Sequence, residues 1–577
     1  MSDSGYSFIY DGYGKTSAIQ VNARGRSVQD NSYTNKGTAF TEKEREELGL
    51  SSCLPPAVKT LDEQIAVCRE TVDGKTGDLE KYIYVRSLFE KNVTLAHALI
   101  ASDVRKFMAI VYTPTVGQAC QRYSAIFRKG LGIHLYPGNI HRAEEILSAY
   151  KEDGIRVAVV TDNQGILGIG DQGAGGIAIC VGKLMLYTQG AGLAPWHCLP
   201  ISLDVGTDSK VLLEDPNYLG WRERRLTGDA YLSFVDTFAK AFKNVFPNAL
   251  CQWEDFSKQN AFTVKDTYLD EMVSFNDDIQ GTGSVTLAGI ISAMKIKKES
   301  LKDQVYLIHG AGAGGVGVAE QIEAALVEEG LSVKDARQRI YTLDSRGLVT
   351  SDRSMEPYKT KFAKDPSTLP WYKSSEDGRL ENVVRLAKVT VLIGTSGQAG
   401  CFGREVVEAA AKNTERPVIF PLSNPTVNAE ALPSDIYTWS RGKALVATGS
   451  PFAPVVFEGR EYRIGQCNNV FIFPGVGLGV VASGARKVLP SFFTAAAYAA
   501  AEHVSSEDLA NGVLFPAVEK LKDVSLSVAK AVGHIAIREG VSRKCAFSDF
   551  DHGNDPEKLD KAIEMMCWKP EYLSLVK

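Results

Sequence analysis

The sequence of 577 residues has no Cys-x-x-Cys pair among its ten cysteines, which excludes a thiolate zinc site and a dithiol redox motif. It has no basic run, and its net charge is -5, so neither nucleic acid nor an anionic membrane surface is expected as a partner. The longest apolar stretch, residues 470–485, is broken by a proline and several glycines and is too short to span a bilayer. The first thirty residues lack the apolar core of a signal peptide and contain acids that transit peptides avoid. These absences favour a cytoplasmic protein with reduced cysteines.

The length exceeds what one hydrophobic core supports, so two or three domains are expected. Apolar residues at three- and four-residue spacing predict helices over residues 57–130 and again over 487–540. Between them, strand patterns alternate with helical patterns, with the strands expected at 155–161, 201–205, 305–308, 339–344, 389–393 and 418–420. The predicted fold class is α/β: a mainly helical N-terminal region plus an α/β domain, followed by a doubly wound parallel sheet of Rossmann type.

Two short segments each carry a pair of adjacent carboxylates. Glu254 and Asp255 stand in the run Gln-Trp-Glu-Asp-Phe, and Asp277 and Asp278 stand in Phe-Asn-Asp-Asp-Ile-Gln-Gly-Thr. Adjacent carboxylates repel each other unless a cation holds them together. Oxygen ligands alone suit a hard divalent ion, Mg²⁺ or Mn²⁺, better than zinc. The sequence therefore predicts a magnesium or manganese site.

A glycine-rich loop follows the strand pattern at 305–308. It reads Gly310-Ala311-Gly312-Ala313-Gly314-Gly315 and opens a helical pattern, which is the G-x-G-x-x-G fingerprint of a dinucleotide site. In that fingerprint Gly310 allows the tight turn, Gly312 lets the backbone approach a pyrophosphate, and Gly315 lets helix and strand pack closely. Asp344 ends the next strand pattern, where an acid can hydrogen-bond the adenosine ribose. The alternative is a plain packing turn.

A second G-x-G-x-x-G, at Gly168, Gly170 and Gly173, has no strand-terminal acid after it at a suitable distance. We interpret it as a tight turn that lets a ligand approach Asp171 or Lys183. Lys183 is predicted near the start of a helix among small and apolar neighbours, where desolvation would lower its pKa and make it a base. A surface lysine with a buried stem is the alternative.

Four further polar residues stand at bends. Tyr112 precedes Thr113-Pro114, and its ring is either a core anchor or the carrier of a hydroxyl acid in a cleft. Asn424 follows the strand pattern at 418–420, and Asn468 and Asn469 precede a Gly/Pro-rich segment. Amides in such positions contact carboxylates or nicotinamide, but they form turns just as often.

Taken together, these segments resemble the malic enzyme family. The matching stretches are 35–40, 112–117, 168–171, 253–256, 275–282, 310–315, 422–426, 447–451 and 468–475, together with Lys183. The resemblance extends from about residue 35 to 572. It implies a flexible arm over residues 1–34, a substrate and metal domain over 35–275, an NAD-binding domain over 276–540 and a C-terminal tail over 541–577.

The resemblance implies oxidative decarboxylation of (S)-malate to pyruvate and CO₂, with Mg²⁺ or Mn²⁺ held by Glu254, Asp255 and Asp278. Lys183 would take the hydroxyl proton, Asp277 would set its proton affinity, and Tyr112 would protonate the enolate. Asn424, Asn468 and Asn469 would contact the substrate carboxylate or nicotinamide. Asp344 favours NAD over NADP because it would repel a 2′-phosphate, although Arg346 lies close by. A homo-oligomer, either a dimer or a tetramer, is also implied.

One position departs from the family pattern. Glycine, Gly165, stands where malic enzymes usually carry an arginine that clamps the substrate carboxylate. Malolactic enzymes, which convert malate to lactate with bound NAD and no net redox change, resemble the chain at this point and in the closing Trp-Lys-Pro-Glu-Tyr. The turn around Tyr112 instead resembles malic enzyme, which we favour. A third reading, an NAD-binding relative without catalysis, predicts a broken acid set or a missing base, and neither is seen.

Overall fold

The computed structural model describes residues 5–166 and 168–577, so residues 1–4 of the expected arm lie outside it. The N-terminal region comprises strands β1 Tyr6–Tyr10 and β2 Thr16–Val21, followed by helices α1 Arg26–Asp30, α2 Glu42–Glu47, α3 Leu61–Asp73, α4 Asp78–Lys91, α5 Val93–Ala101, α6 Val104–Val111, α7 Thr115–Gln121 and α8 Tyr123–Ile126. Helices α2 and α3 each begin at a threonine whose hydroxyl and a glutamate three residues later form a capping box. The helical prediction for 57–130 agrees with this region.

Over residues 5–34, the structure differs from the flexible arm that was expected over residues 1–34. Strands β1 and β2 form an antiparallel hairpin, and the C-terminal strand β17 (Ser574–Val576) pairs with β2 in parallel. Buried Ile19, Val21 and Val28 pack with Phe40 and Leu50 in a small core of their own. The alternation of buried and exposed residues along β2 signals a half-buried strand. That two-residue period is hidden in the sequence by the glycines and serines around it.

The next region is a parallel sheet with helices around it. Its elements are β3 Ile133–Leu135, α9 Ala143–Ser148, β4 Val157–Thr161, α10 Ile177–Ala191, β5 Cys198–Leu203, α11 Lys210–Glu214, α12 Gly228–Val245, β6 Leu250–Trp253, α13 Lys258–Tyr268 and β7 Ser274–Asn276. The strand order is β3-β5-β4-β6-β7, and every pairing is parallel. Every residue of β4 and β6 is buried, as expected for strands covered on both faces.

The dinucleotide-type region begins after β7. It comprises α14 Thr282–Lys297, β8 Tyr306–His309, α15 Ala313–Glu328, α16 Val333–Gln338, β9 Ile340–Asp344, β10 Gly347–Leu348, α17 Leu380–Leu386, β11 Val391–Gly394, α18 Arg404–Asn413, β12 Val418–Pro421, α19 Pro433–Trp439, β13 Leu445–Thr448, β14 Val455–Phe457, β15 Arg460–Tyr462 and β16 Gly465–Gln466. Seven strands form one sheet in the order β10-β9-β8-β11-β12-β13-β16, parallel except at the β9–β10 pair. The strand order reverses between β8 and β11, and a doubly wound sheet binds its ligand at such a point. The predicted α/β class is confirmed.

The remaining helices close the core between the two sheets. They are α20 Phe473–Ala482, α21 Pro490–Glu502, α22 Ser506–Ala510, α23 Leu521–Arg538 and α24 Pro556–Met566. Helix α20 packs against both α10 and α23, and α21 packs against α14. Within residues 5–166 and 168–577, no helix has the length and apolar character needed to cross a membrane.

Candidate active site

The acidic residues come together at the carboxyl ends of two neighbouring parallel strands. Glu254 and Asp255 follow β6, and Asp278 lies in the helical turn Asp277–Gly281 that follows β7. One carboxylate oxygen from each of these three residues lies within 4.8 Å of the others. The backbone N–H of Asp255 donates to Oδ2 of Asp278 at 2.8 Å, which ties the two turns together.

The electrostatics of this acid triad fit a divalent cation. Burial, partly offset by Lys183, raises the pKa of Glu254 and of Asp278, and their carboxylate neighbours raise both further. The positive charge near each carboxyl group is therefore too small to stabilise its ionised form. Three carboxylate oxygen donors, two of them from buried residues, are a donor set that Mg²⁺ or Mn²⁺ prefers. Glu254, Asp255 and Asp278 are thus the residues that would hold the ion.

Lys183 lies in the middle of α10, as its seventh residue, rather than at the start of a helix as expected. Its side chain is only 2% exposed, and its Nζ lies 2.9 Å from Oε1 of Glu254 and in contact with Oδ2 of Asp277. Burial alone would lower the pKa of Lys183, but the carboxylates of Asp277 and Glu254 outweigh it and hold the pKa well above its usual value. The expected lowering of this pKa is therefore wrong, because the sequence did not show both carboxylates converging on Nζ.

Tyr112 caps the end of α6 and lies beside Lys183. Its ring centroid is 5.6 Å from Nζ of Lys183, and the residue is 5% exposed. Burial raises the pKa of the Tyr112 phenol, with a smaller opposing effect from Lys183. A protonated hydroxyl next to a buried ammonium group is a suitable proton donor. The structure therefore brings Tyr112, Lys183 and Asp277 together next to the acid triad.

The side-chain amide of Asn469 is hydrogen-bonded to Asp277. Its Nδ2 donates to Oδ2 of Asp277 at 3.0 Å and to Oγ1 of Thr282 at 3.1 Å. Oδ1 of Asp277 is buried and accepts no hydrogen bond from residues 5–166 or 168–577. Oδ1 instead packs against Gly281, where a Cβ would lie 1.9 Å from it. The substrate contact predicted for Asn469 stays a prediction.

The other two predicted amides, Asn424 and Asn468, have different surroundings. Asn424 is exposed after β12 and accepts a hydrogen bond from the Ser450 hydroxyl. Its carbonyl oxygen lies 2.8 Å from the position that a Cβ on Gly168 would occupy, so it abuts the second glycine turn. Asn468 is buried, and its Oδ1 accepts from the Val470 N–H. Asn468 also lines a cavity of about 420 Å³ with Thr113, the neighbour of Tyr112. Their ligand contacts stay predictions.

The glycine loop has the geometry of a phosphate cradle. Gly310 has a φ of 117°, and a Cβ on Gly315 would lie 1.9 Å from the Gly310 carbonyl oxygen, so neither position accepts a side chain. Helix α15 begins at Ala313, with its N-terminus at this loop. A Cβ on Gly314 would lie 3.6 Å from the carbonyl oxygen of Asp278, which places the loop next to the acid triad.

Asp344 ends β9, and its carboxylate is already paired with two cations. Oδ1 accepts from Arg353 Nη2 at 2.9 Å, and Oδ2 accepts from Lys359 Nζ at 3.2 Å. Partial burial opposes ionisation, but these hydrogen bonds and that from the Arg346 N–H leave the pKa of Asp344 below its usual value. The sequence reading singled out Asp344 and Arg346 but missed Arg353 and Lys359, which lie in the loop beyond β10.

Gly165 leaves no room for a side chain. Its N–H donates to the Asp255 carbonyl at 2.7 Å, and a Cβ would lie 2.5 Å from the carbonyl oxygen of Phe256. The loop therefore packs backbone to backbone against the metal-site turn. Nearby, Arg225 is buried, and its guanidinium lies 3.3 Å from Asp171 and 3.6 Å from Asp162. Arg225 is thus held by two carboxylates within the fold, and the sequence reading missed it.

An acid triad and a buried lysine next to the glycine loop of a doubly wound sheet define a metal-dependent, dinucleotide-linked oxidoreductase. Two family models match the chain: "Malic enzyme, N-terminal domain" over residues 89–269 and "Malic enzyme, NAD binding domain" over residues 279–537. The chain belongs to the malic enzyme family.

Relatives and solved structures agree with this assignment. The chain is 42% identical over 550 residues to the NAD-dependent malic enzyme of Shewanella frigidimarina, covering 95% of this chain and 96% of that one. It is 43% identical over 541 residues to that of Acinetobacter baylyi, covering 93% of this chain and 94% of that one. The fold resembles the Entamoeba histolytica malic enzyme, with a TM-score of 0.54, 22% identity and coverage of 90% and 98% of the two chains. It also resembles the Pyrococcus horikoshii malic enzyme, with a TM-score of 0.53, 23% identity and coverage of 80% and 89%.

Proposed function

We propose that the chain oxidises and decarboxylates (S)-malate to pyruvate and CO₂, reducing NAD⁺ to NADH in the presence of Mg²⁺ or Mn²⁺. The observation that carries the proposal is the contact of Lys183 with both Asp277 and Glu254 at the acid triad. It joins a proton-transfer group to a metal-ligand group in one buried cluster. The identity of 42% to a curated NAD-dependent malic enzyme over most of both chains supports the choice of reaction.

In the proposed reaction, Lys183 acts as a neutral amine, a form that a divalent ion would favour by offsetting the Glu254 carboxylate that contacts Nζ. It accepts the proton of the malate hydroxyl while the hydrogen on C2 leaves as hydride. The β-keto acid that results loses CO₂ to give an enolate, and Tyr112 donates a proton to its C3. Asp277, in contact with Nζ, sets the proton affinity of Lys183. Glu254, Asp255 and Asp278 would hold a divalent ion, which would supply positive charge for the developing carbonyl oxygen and offset the charge of Glu254. NAD⁺ at the glycine loop supplies the hydride acceptor.

A second candidate is malolactic chemistry, in which pyruvate is reduced to lactate before release. The observation that favours it is Gly165, where the backbone leaves no space for the arginine clamp that malic enzymes usually carry. The two reactions share the proposed metal site, base and acid. They differ in whether NADH and pyruvate leave the enzyme.

The experiment that tests the proposal is incubation of the pure protein with (S)-malate, Mn²⁺ and NAD⁺, with NADH followed by absorbance and both products assayed. Malic enzyme activity gives pyruvate and NADH in equal amounts. Lactate without net NADH would instead establish the malolactic reaction. No product of either kind would contradict both candidates.

We also propose a cytoplasmic location and a homo-oligomer, either a dimer or a tetramer. All ten cysteines are free, which suits a reducing compartment. The oligomer rests on the family resemblance alone. Cell fractionation tests the first, and light scattering coupled to size-exclusion chromatography tests the second; a monomer mass would contradict the oligomer.

A further inference from the structure

Behind the acid triad, a buried chain of hydrogen bonds leads away from Glu254. Gln252, on β6, donates from Nε2 to Oε2 of Glu254 at 2.8 Å. Tyr187, on α10, donates from its hydroxyl to Oε1 of Gln252 at 2.5 Å. Gln252 and Tyr187 are both fully buried. Neither residue belongs to the acid triad or to the proton-transfer pair.

The local geometry explains why these side chains meet. Residues two apart on a strand point to the same face, so Gln252 and Glu254 project together from the end of β6. Residues four apart on a helix lie on one face, so Tyr187 projects beside Lys183 from α10. Helix α10 therefore reaches both oxygens of Glu254. Lys183 contacts Oε1 directly, and Tyr187 is linked to Oε2 through Gln252.

The direction of the hydrogen bonds is fixed by chemistry. A carboxylate that binds a metal ion has no proton to donate, so the amide group of Gln252 must turn its NH₂ toward Glu254. Its carbonyl oxygen then faces Tyr187, whose hydroxyl must donate. The Glu254 carboxylate thus selects the amide orientation, because the alternative would leave two acceptors facing each other, and the Tyr187 hydroxyl holds the amide in that orientation by donating to Oε1 of Gln252.

The position of Tyr187 is itself fixed by packing. Its ring lies 5.0 Å from the ring of Phe473, centroid to centroid, in an edge-to-face contact. A Cβ on Gly477 would lie 2.4 Å from Cε1 of Tyr187, so only glycine on α20 leaves space for the ring. The hydrogen-bond chain therefore begins at the Tyr187 ring, which is packed tightly between its own helix α10 and α20.

We infer that Gln252 and Tyr187 are positioning residues for the metal ion, acting through Glu254. Lys183 contacts Oε1 of Glu254, and Gln252 donates to Oε2. The hydrogen bond from Gln252 opposes the pull of the Lys183 ammonium group on the carboxylate. Without Gln252, the Glu254 carboxylate is free to turn toward the ammonium group and away from the acid triad. Replacing a residue that hydrogen-bonds to a metal ligand typically lowers the metal affinity by about 10- to 100-fold. The inference rests on the proposed metal site.

The test is a titration of the metal-free full-length protein with Mn²⁺, in which free Mn²⁺ is measured by electron paramagnetic resonance. The Gln252→Leu variant is expected to bind Mn²⁺ about 10- to 100-fold more weakly than the wild type, with unchanged affinity for NAD⁺. If the wild type binds no Mn²⁺, the proposed metal site fails. If the wild type and Gln252→Leu bind it equally, the positioning role alone fails.

Gln321 provides a matched control, because it is another buried glutamine whose amide donates to a hydroxyl, that of Thr494 at 2.6 Å. Gln321→Leu removes a comparable buried hydrogen bond, yet it is expected to leave Mn²⁺ affinity unchanged. An equal loss of affinity in Gln321→Leu would mean that general destabilisation, not positioning, weakens metal binding.

Tyr187→Phe keeps the ring and removes only the hydroxyl, so it tests the same idea with little risk of misfolding. It is expected to weaken Mn²⁺ binding less than Gln252→Leu does. Added to Gln252→Leu, it should cause no further loss, because Tyr187 acts only through Gln252. Additive losses in the double variant, or no loss in Tyr187→Phe alone, would overturn the inferred chain.

Discussion

Nζ of Lys183 lies 2.9 Å from Oε1 of Glu254, and the two side chains are each 2% exposed. The proposed base and one proposed metal ligand therefore form a direct buried ion pair. Asp277 contacts the same ammonium group, while Asp255 and Asp278 complete the acid triad. Carboxylate neighbours raise the pKa of both Glu254 and Asp278. A divalent cation is the partner that would relieve this repulsion.

Replacement of Lys183 by alanine is expected to lower kcat by about 10²- to 10⁴-fold, because the group that takes the hydroxyl proton is lost. Affinity for NAD⁺, measured by titration of protein fluorescence, should stay within about twofold, since Lys183 is not part of the glycine loop. Lys297→Ala is a matched control: its side chain is 1% exposed and paired with Glu299 away from the site. Unchanged turnover in Lys183→Ala would remove this residue from the mechanism.

Replacement of Gly165 by alanine is expected to destabilise the protein by about 1–3 kcal/mol, because the new Cβ meets the Phe256 carbonyl oxygen. The turn that carries Asp255 must shift to relieve the contact, so Mn²⁺ affinity should fall as well. Thermal unfolding and Mn²⁺ titration measure the two effects. Gly130→Ala, in a segment outside the helices and strands and where a Cβ meets nothing within 4 Å, should change neither. A Gly165→Ala variant as stable as the wild type would show that the loop has room for a larger side chain.

Replacement of Asp344 by alanine is expected to shift the cofactor preference toward NADP⁺. The change removes a carboxylate that would repel a 2′-phosphate and frees Arg353 and Lys359 to bind it. The ratio of kcat/KM for NADP⁺ to that for NAD⁺ should rise by about tenfold, equivalent to about 1.4 kcal/mol. Asp352→Ala, an exposed change of the same charge in the same loop, is the control. A similar ratio in both variants would contradict a cofactor role for Asp344.

Asp153 should make stability depend on pH. Burial, with a smaller contribution from Glu152, raises the pKa of its carboxyl group to about 6, against about 3.9 in an unfolded chain. The folded state then binds more protons between about pH 4 and pH 6, so Asp153 makes the fold less stable as the pH rises through that window. Because Asp153 is only partly buried, we discount the effect to about 1 kcal/mol at pH 7.

Asp153→Asn removes this charge, so its unfolding temperature should exceed that of the wild type by more at pH 7.5 than at pH 5. The measurement is thermal unfolding of both proteins at both pH values. Glu152→Gln, at an exposed neighbouring residue, should have a smaller effect. Equal differences at the two pH values would show that the Asp153 carboxyl is not perturbed by burial.

Local patterns were enough to predict the chemistry-bearing turns. A β-branched run into glycines predicts β8 and its loop, because strand, turn and helix N-terminus are all encoded within a dozen residues. The two acidic pairs could likewise be found, since each puts two acids side by side within an otherwise apolar or amide-rich stretch. Contacts between distant residues could not be predicted in this way. Tyr187 and Gln252 are 65 residues apart, and only the packing of α10 on the sheet brings them together.

Lys183 shows the same limit in its electrostatics. Its apolar neighbours correctly indicate burial, but the direction of its pKa shift depends on Glu254 and Asp277, which come from two other turns. The arm at residues 5–34 shows a different limit, because strand β2 gains its partner β17 from the far end of the chain. A strand stabilised by a partner more than 500 residues away cannot be recognised from its own neighbours.

The most direct test of the proposed reaction uses (S)-malate that carries deuterium at C2, incubated with the protein, Mn²⁺ and NAD⁺ and analysed by mass spectrometry. Oxidative decarboxylation predicts that the deuterium leaves with the reduced dinucleotide and that the pyruvate carries none from C2. Deuterium found at C2 of lactate, with no reduced dinucleotide released, would contradict malic enzyme activity and establish the malolactic reaction instead.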